Sequence, residues 1–210
     1  MKPSARKNIL LCFVAIFGSF LFSAAFPASG VWLLAFVFYV PLLHCHKQTN
    51  AVGALAYTWL FSIAPTLITF DGVGYWAGTG TSPKLSFFVA SFVYSWMVAF
   101  GIYLKLYIPF RLRGTLGILG CACLSVLMTR LLSTFLWWTE ATAIGQNIRL
   151  LQGVALFGPY AWAFFPLLIN WYLSLSAHSW PKKWTVSIGA VAVVLCLGEA
   201  RMQEIPEQKR

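Results

Sequence analysis

TLGILGCACLSVLMTRLLSTFLWW, residues 115–138, is an apolar run interrupted by a single charge, Arg130. About 20 residues of helix cross the hydrocarbon core of a bilayer, so apolar runs of about 18 or more mark membrane helices. Comparable runs cover residues 9–26, 31–43, 51–70, 85–108, 154–177 and 184–198. The runs at 31–43 and 184–198 are short for a full crossing. Lipid offers the backbone no hydrogen-bond partners, so each run must satisfy its own amides and carbonyls as a helix. The pattern predicts an all-α integral membrane protein. It is a bundle of about seven transmembrane helices over residues 1–200, followed by a polar tail at 201–210. Pro65 and Pro166 fall inside runs and are expected as tolerated kinks.

Composition agrees. The 210 residues are 60% hydrophobic and 10% charged, against roughly 25% charged in a soluble domain. The net charge of +10 would suggest nucleic acid in a soluble chain. Here the basic residues are scattered between apolar runs, which argues against nucleic-acid binding and for basic loops on one side of a membrane. With the N-terminus inside, the inner loops hold Lys2, Arg6, Lys7, Lys47, Lys105, Arg111, Arg113, Lys182 and Lys183. The outer side holds Lys84, Arg149, Arg201, Lys209 and Arg210, together with all five acids. Nine basic residues against five obey the positive-inside bias and put the C-terminus outside. Lys2, Arg6 and Lys7 before an apolar run ending in FSAAFPASG resemble a signal sequence, but the run's length favours an uncleaved first helix.

Few residues offer chemistry. His44-Cys45-His46 has ligand types, but alternate positions meet a metal only on an extended chain, and no second cluster completes a tetrahedral site. An interfacial loop is expected there, with no metal and no cofactor. Cys121 and Cys123 are two apart on a helix and point to different faces. Four of the five cysteines map to the inner half, so no disulfide framework is expected. The glycine-rich segment 70–84 carries Tyr75 and Trp76, rings suited to the membrane–water interface. It is expected to lie on the bilayer as an outer loop, or to act as a lid over a lipid-facing cleft. Glu140 follows Trp137 and Trp138 at the outer end of the fifth helix, where a carboxylate is ordinarily solvated.

Arg130 is expected near mid-depth. A charge there costs at least about 2.5 kcal/mol and tends to face the bundle interior or a wet cavity. It either contacts an anion such as a lipid phosphate or snorkels outward. Glu140 lies ten residues on, about 15 Å along a helix and too far for a direct pair on one straight helix. A paired Arg130 therefore needs a partner from another segment.

The order of landmarks resembles the membrane-embedded N-terminal half of bacterial apolipoprotein N-acyltransferase. The first run ends in Phe26-Pro27, followed by Trp32 and Pro41-Leu42, like that family's opening helical hairpin. A third run leads into an outer loop with Gly72, Gly74, Tyr75 and Trp76. Residues 145–171, GQNIRLLQGVALFGPYAWAFFPLLINW, look like the family's segment that rides over the membrane and re-enters as the sixth helix. The similarity spans about residues 9 to 200.

The resemblance implies acyl transfer from a phospholipid to a lipoprotein's N-terminal cysteine in the bacterial inner membrane. The family's Glu-Lys-Cys triad lies on a nitrilase-like domain that would follow EARMQEIPEQKR, so none of it maps onto these residues. The family's fifth helix commonly ends in an acid and then Phe-Pro-Trp. Here Arg130 occupies the region of that acid and Phe-Pro-Trp is absent. The expected function is a multi-pass membrane module that accommodates phospholipid or lipoprotein acyl chains, catalytically inactive alone or working with a separate nitrilase-like chain. A truncated remnant without activity is a further reading. The alternative from a different class is a small transporter or lipid-binding protein with Arg130 as its anion contact. Arg130, Glu140, Trp137 and Trp138 are the expected lipid or anion contacts, and Tyr75 and Trp76 the expected loop or lid.

Overall fold

The computed structural model describes residues 3–25, 30–69, 83–132, 140–144 and 147–204, and among them there is no β-strand. The elements are α1 (Pro3–Ala25), a 3-10 turn (Trp32–Phe36), α2 (Tyr39–Gln48), α3 (Ala51–Thr69) and α4 (Pro83–Arg111). They continue as α5 (Arg113–Leu131), α6 (Glu140–Ile144), α7 (Ile148–Trp162), α8 (Phe164–Leu175) and α9 (Trp180–Glu204). Among the described residues, four stretches are long and apolar enough to cross a membrane: Ala5–Ala25, Phe92–Arg111, Arg113–Leu131 and Trp180–Ala200. Ala51–Leu67 is a shorter apolar helix.

α1 shows the pattern of these apolar helices. Its inward face, Leu11, Ala15, Phe22 and Ala25, is buried, while Leu10, Phe13, Phe17 and Phe20 on the other side are exposed. A helix apolar all round belongs in a large core or in a bilayer. Polar side chains inside the bundle turn back on their own helices. Thr58, Ser62 and Thr66 each donate to the carbonyl four residues earlier, at 2.6–2.8 Å. Beside Pro65, the Ala64 amide donates to Ser19 Oγ of α1 at 3.1 Å, so a neighbouring helix meets a backbone group next to the proline.

Contacts fix the directions. The Cys45 thiol reaches the Leu11 carbonyl, and Phe22 packs on Phe38 and Tyr39, so α1 and α2 run antiparallel. The Tyr57 hydroxyl donates to Asn8 O and Ala64 N to Ser19, so α1 and α3 run parallel. The Cys121 thiol donates to Pro109 O and the Ser125 hydroxyl to Lys105 O, which makes α4 and α5 an antiparallel hairpin. One end of the bundle thus gathers the start of α1, the end of α2 and the α4–α5 turn. The Lys7 ammonium reaches the Gln48 carbonyl there. The end of α8 and the start of α9 join them around a shared cavity.

Several boundaries depart from expectation. Residues 31–43 do not form one helix: a 3-10 turn ends at Phe36 and α2 starts at Tyr39. Residues 154–177 are also broken. Gly158 has φ 78°, ψ 162°, a conformation glycine adopts without the clash a Cβ brings. Pro159 follows, and α8 begins only at Phe164. Pro166 stands in the first turn of α8, where its missing amide costs no helical bond. His44-Cys45-His46 is helical, in the last turns of α2, with His44 exposed and His46 buried. α9 runs from 180 to 204, longer than the expected 184–198 and past residue 200.

α7 packs on the far end of α9. A Cβ built on Gly198 would clash with the Arg149 carbonyl oxygen, so only glycine permits this backbone approach. Gly189, on the same helix, has nothing within 4 Å of its Cβ position. Gly198→Ala should therefore cost at least about 1 kcal/mol by overpacking, lowering Tm in detergent by about 2–4 °C. Gly189→Ala should leave Tm unchanged or raise it. Equal effects of the two substitutions would refute the α7–α9 contact.

Candidate functional site

The polar centre of the bundle grows from two local features. The first is the start of α2. Tyr39 is the first residue of that helix, so its amide has no intrahelical acceptor, and Phe38 supplies no side-chain cap. Asn170 of α8 fills the gap: its Oδ1 accepts from Tyr39 N–H at 2.8 Å. Its Nδ2 donates to Ala35 O at 2.9 Å and Pro166 O at 2.8 Å. One buried amide therefore holds the 3-10 turn, α2 and α8 together.

The second feature is Pro109 in α4. Proline has no amide hydrogen, so the carbonyl four residues before it, that of Lys105, loses its helical donor. Ser125 Oγ of α5 donates to that carbonyl at 3.1 Å and accepts from Trp171 Nε1 of α8 at 3.0 Å.

The Lys105 side chain points into the same centre. Its ammonium forms an ion pair with Glu140 Oε1 of α6, and both side chains are only 2% exposed. The Tyr39 hydroxyl donates to the same oxygen at 2.8 Å and lies 3.3 Å from the Lys105 ammonium. Glu140 Oε2 has no hydrogen-bond partner among the described residues. Tyr39, Lys105, Glu140 and Asn170 tie α2, α4, α6 and α8 into one unit.

Two cavities flank this unit, and none of its four side chains lines either. A groove of about 500 Å³ lies between the 3-10 turn, α8 and α9. Leu34, Val37, Ile169, Trp184, Ile188 and Val191 give it an apolar wall, and Ser187 is the polar side chain lining it. A second cavity of about 420 Å³ lies at the end where α2 and α8 finish and α9 begins. His44, Lys47 and Lys183 line it, over apolar residues that include Val14, Phe17 and Val40.

The residues singled out by sequence scatter. Arg130 is not at mid-helix but in the last turn of α5, exposed, with its guanidinium 5.2 Å from the centre of the Tyr160 ring. A cation in a helix's last turn complements the helix dipole. Glu140, expected solvated at the outer surface, is in the core. Lys105, counted as an inner-loop charge, is its buried partner. Trp137, Trp138, Tyr75 and Trp76 lie outside the described residues. Sequence reasoning missed Tyr39, Lys105 and Asn170 as a set. The available signal was Lys105 itself, an ionisable residue inside the run 85–108, four residues before a proline.

No known protein family, curated protein or solved structure matches this chain.

Removing one partner of a buried ion pair leaves the other charge stranded and typically costs about 3–5 kcal/mol, whereas replacing both by apolar residues is often close to neutral. Lys105→Met and Glu140→Leu should each lower Tm sharply, and the double variant should recover most of the loss. Additive losses in the double variant would show that the two side chains act independently.

Proposed function

We propose that these residues form a membrane-embedded module that holds the acyl chains of a phospholipid or lipoprotein, resembling the transmembrane half of apolipoprotein N-acyltransferase. The observation that carries this reading is the α8–α9 groove. Its walls are apolar side chains, its volume is about 500 Å³, and it runs along a helix long enough to cross a membrane. A groove of that kind suits an alkyl chain, which gains from apolar contact and needs no hydrogen-bond partner. Acyl-transfer chemistry would come from a nitrilase-like domain on a separate chain.

The same reading gives the bundle seven crossings in a bacterial inner membrane. The 3-10 turn with α2 makes the second crossing, and α7 with α8 makes the sixth as a broken, re-entrant unit. Lys47, Arg111, Arg113 and Lys182 share the end where α2 and α4 finish and α5 and α9 start, which supports placing that end in the cytoplasm. Glu199 and Glu204 sit near the opposite end of α9. The N-terminus is then inside and the C-terminus outside.

The second reading, an anion-binding transporter or lipid-binding protein centred on Arg130, draws on that residue's exposure and its place over Tyr160.

Ala192 lines the groove and is exposed, so Ala192→Trp fills the groove without disturbing the core. Native mass spectrometry of the purified protein should show bound phospholipid, and Ala192→Trp should lose most of it. A photoactivatable acyl chain should crosslink between Trp184 and Leu195 of α9. Lipid retention unchanged in Ala192→Trp but abolished in Arg130→Ala would overturn the groove reading in favour of the second one.

A further inference from the structure

The basic cavity carries an inference of its own. Lys183 is only 7% exposed, although it sits among apolar residues. An ammonium withdrawn from water needs a compensating partner. Its Nζ donates to the Leu173 carbonyl at the end of α8, at 3.0 Å, and stands 5.0 Å from the centre of the Trp180 ring. An ammonium has three donors, and that bond uses one. Among the described residues no carboxylate lines the cavity and no acid pairs with Lys183. Lys47 and His44 add two more basic side chains on the α2 side, both exposed. The site is thus three basic groups around about 420 Å³, one of them buried and lacking its counter-charge.

Directly beyond it the chemistry changes. α9 lines this cavity with Trp180 and Lys183, and lines the apolar groove with Trp184, Ser187, Ile188 and Val191. α8 does the same in reverse, giving Leu173, Ser174 and Leu175 to the basic cavity and Ile169 to the groove. The two cavities follow one another along one seam, basic at the end of the bundle and apolar toward its middle.

We propose that the basic cavity binds the phosphate of a phospholipid headgroup, with Lys183 as its buried contact and Lys47 and His44 at its edge. The lipid's acyl chain runs up the adjoining groove, a clause that rests on the function proposed above. The phosphate supplies the negative charge that Lys183 lacks, and the seam then accepts one amphiphile along its length.

The test is competitive lipid retention by the full chain in detergent, read by native mass spectrometry. The probes are phosphatidylglycerol, diacylglycerol with the same chains, and inorganic phosphate. The wild type should retain phosphatidylglycerol about tenfold over diacylglycerol, the scale of a charge-assisted hydrogen bond. Lys183→Gln should abolish that preference and Lys47→Gln should reduce it. Lys182→Gln, exposed and outside the cavity lining, should keep it. Should Lys183→Gln fail to fold, Lys47→Gln at its exposed position decides. Equal retention of both lipids by the wild type, or a full preference surviving in Lys183→Gln or Lys47→Gln, overturns the site. Inorganic phosphate displacing phosphatidylglycerol at equal concentration overturns the lipid assignment. Ala192→Trp should lower retention of both lipids together. If it does not, the acyl-chain reading fails, while the headgroup preference still decides the basic site.

Discussion

The Lys105–Glu140 pair is the interaction around which the centre of the bundle is arranged. Neither charge is tolerable there alone, because each would sit desolvated among apolar side chains. Their meeting requires α6 to come against α4, and it requires Tyr39 to bring its hydroxyl to the same carboxylate oxygen. Tyr39 can do so only if α2 starts where it does, and Asn170 secures that start by accepting its amide hydrogen. The break after the 3-10 turn is thus part of the construction. Pro109 has a similar role: it frees a carbonyl of α4 and thereby gives α5 and α8 a polar anchor through Ser125 and Trp171.

This arrangement separates holding from binding. The polar groups that organise the bundle bond mainly to one another, and among the described residues one carboxylate oxygen of Glu140 has no hydrogen-bond partner. The surfaces left open are of two kinds: apolar faces such as that of α1, and the seam along α9. α9 closes onto α7 at one end, where Gly198 lets the Arg149 backbone in and Arg149 pairs with Glu199. At the basic end it meets α8 through the Lys183–Leu173 hydrogen bond, and the cavities lie between these helices and their neighbours.

The helical architecture of the described residues was legible in the sequence, since runs such as 9–26, 85–108 and 115–138 are long and apolar enough for helices that cross a membrane. The helix breaks were legible only in part. Pro166 suggested a kink inside a run, whereas Gly158 with Pro159 makes the break and Pro166 merely opens the next helix. Proline marks a possible interruption, but whether it falls mid-helix or in a first turn depends on where the chain is pinned elsewhere. The site was less legible still. Arg130 stands out as a charge in an apolar run, and by the same criterion so does Lys105. Lys105 stands near the end of its run, where a basic residue reads as a loop charge.

The sequence by itself determined the element type: 60% hydrophobic residues in long runs suit helices long and apolar enough to cross a membrane, where backbone hydrogen bonds cannot be left open. It also determined that basic residues flank the runs more heavily at one set of ends. The tertiary structure alone decided which charges are surface and which are core. Lys105 and Glu140 lie 35 residues apart, and Tyr39 and Asn170 are 131 apart. No local pattern encodes such pairings. They exist because burying one polar group obliges the fold to deliver a partner, and only the packing of α2, α4, α6 and α8 settles which partner that is.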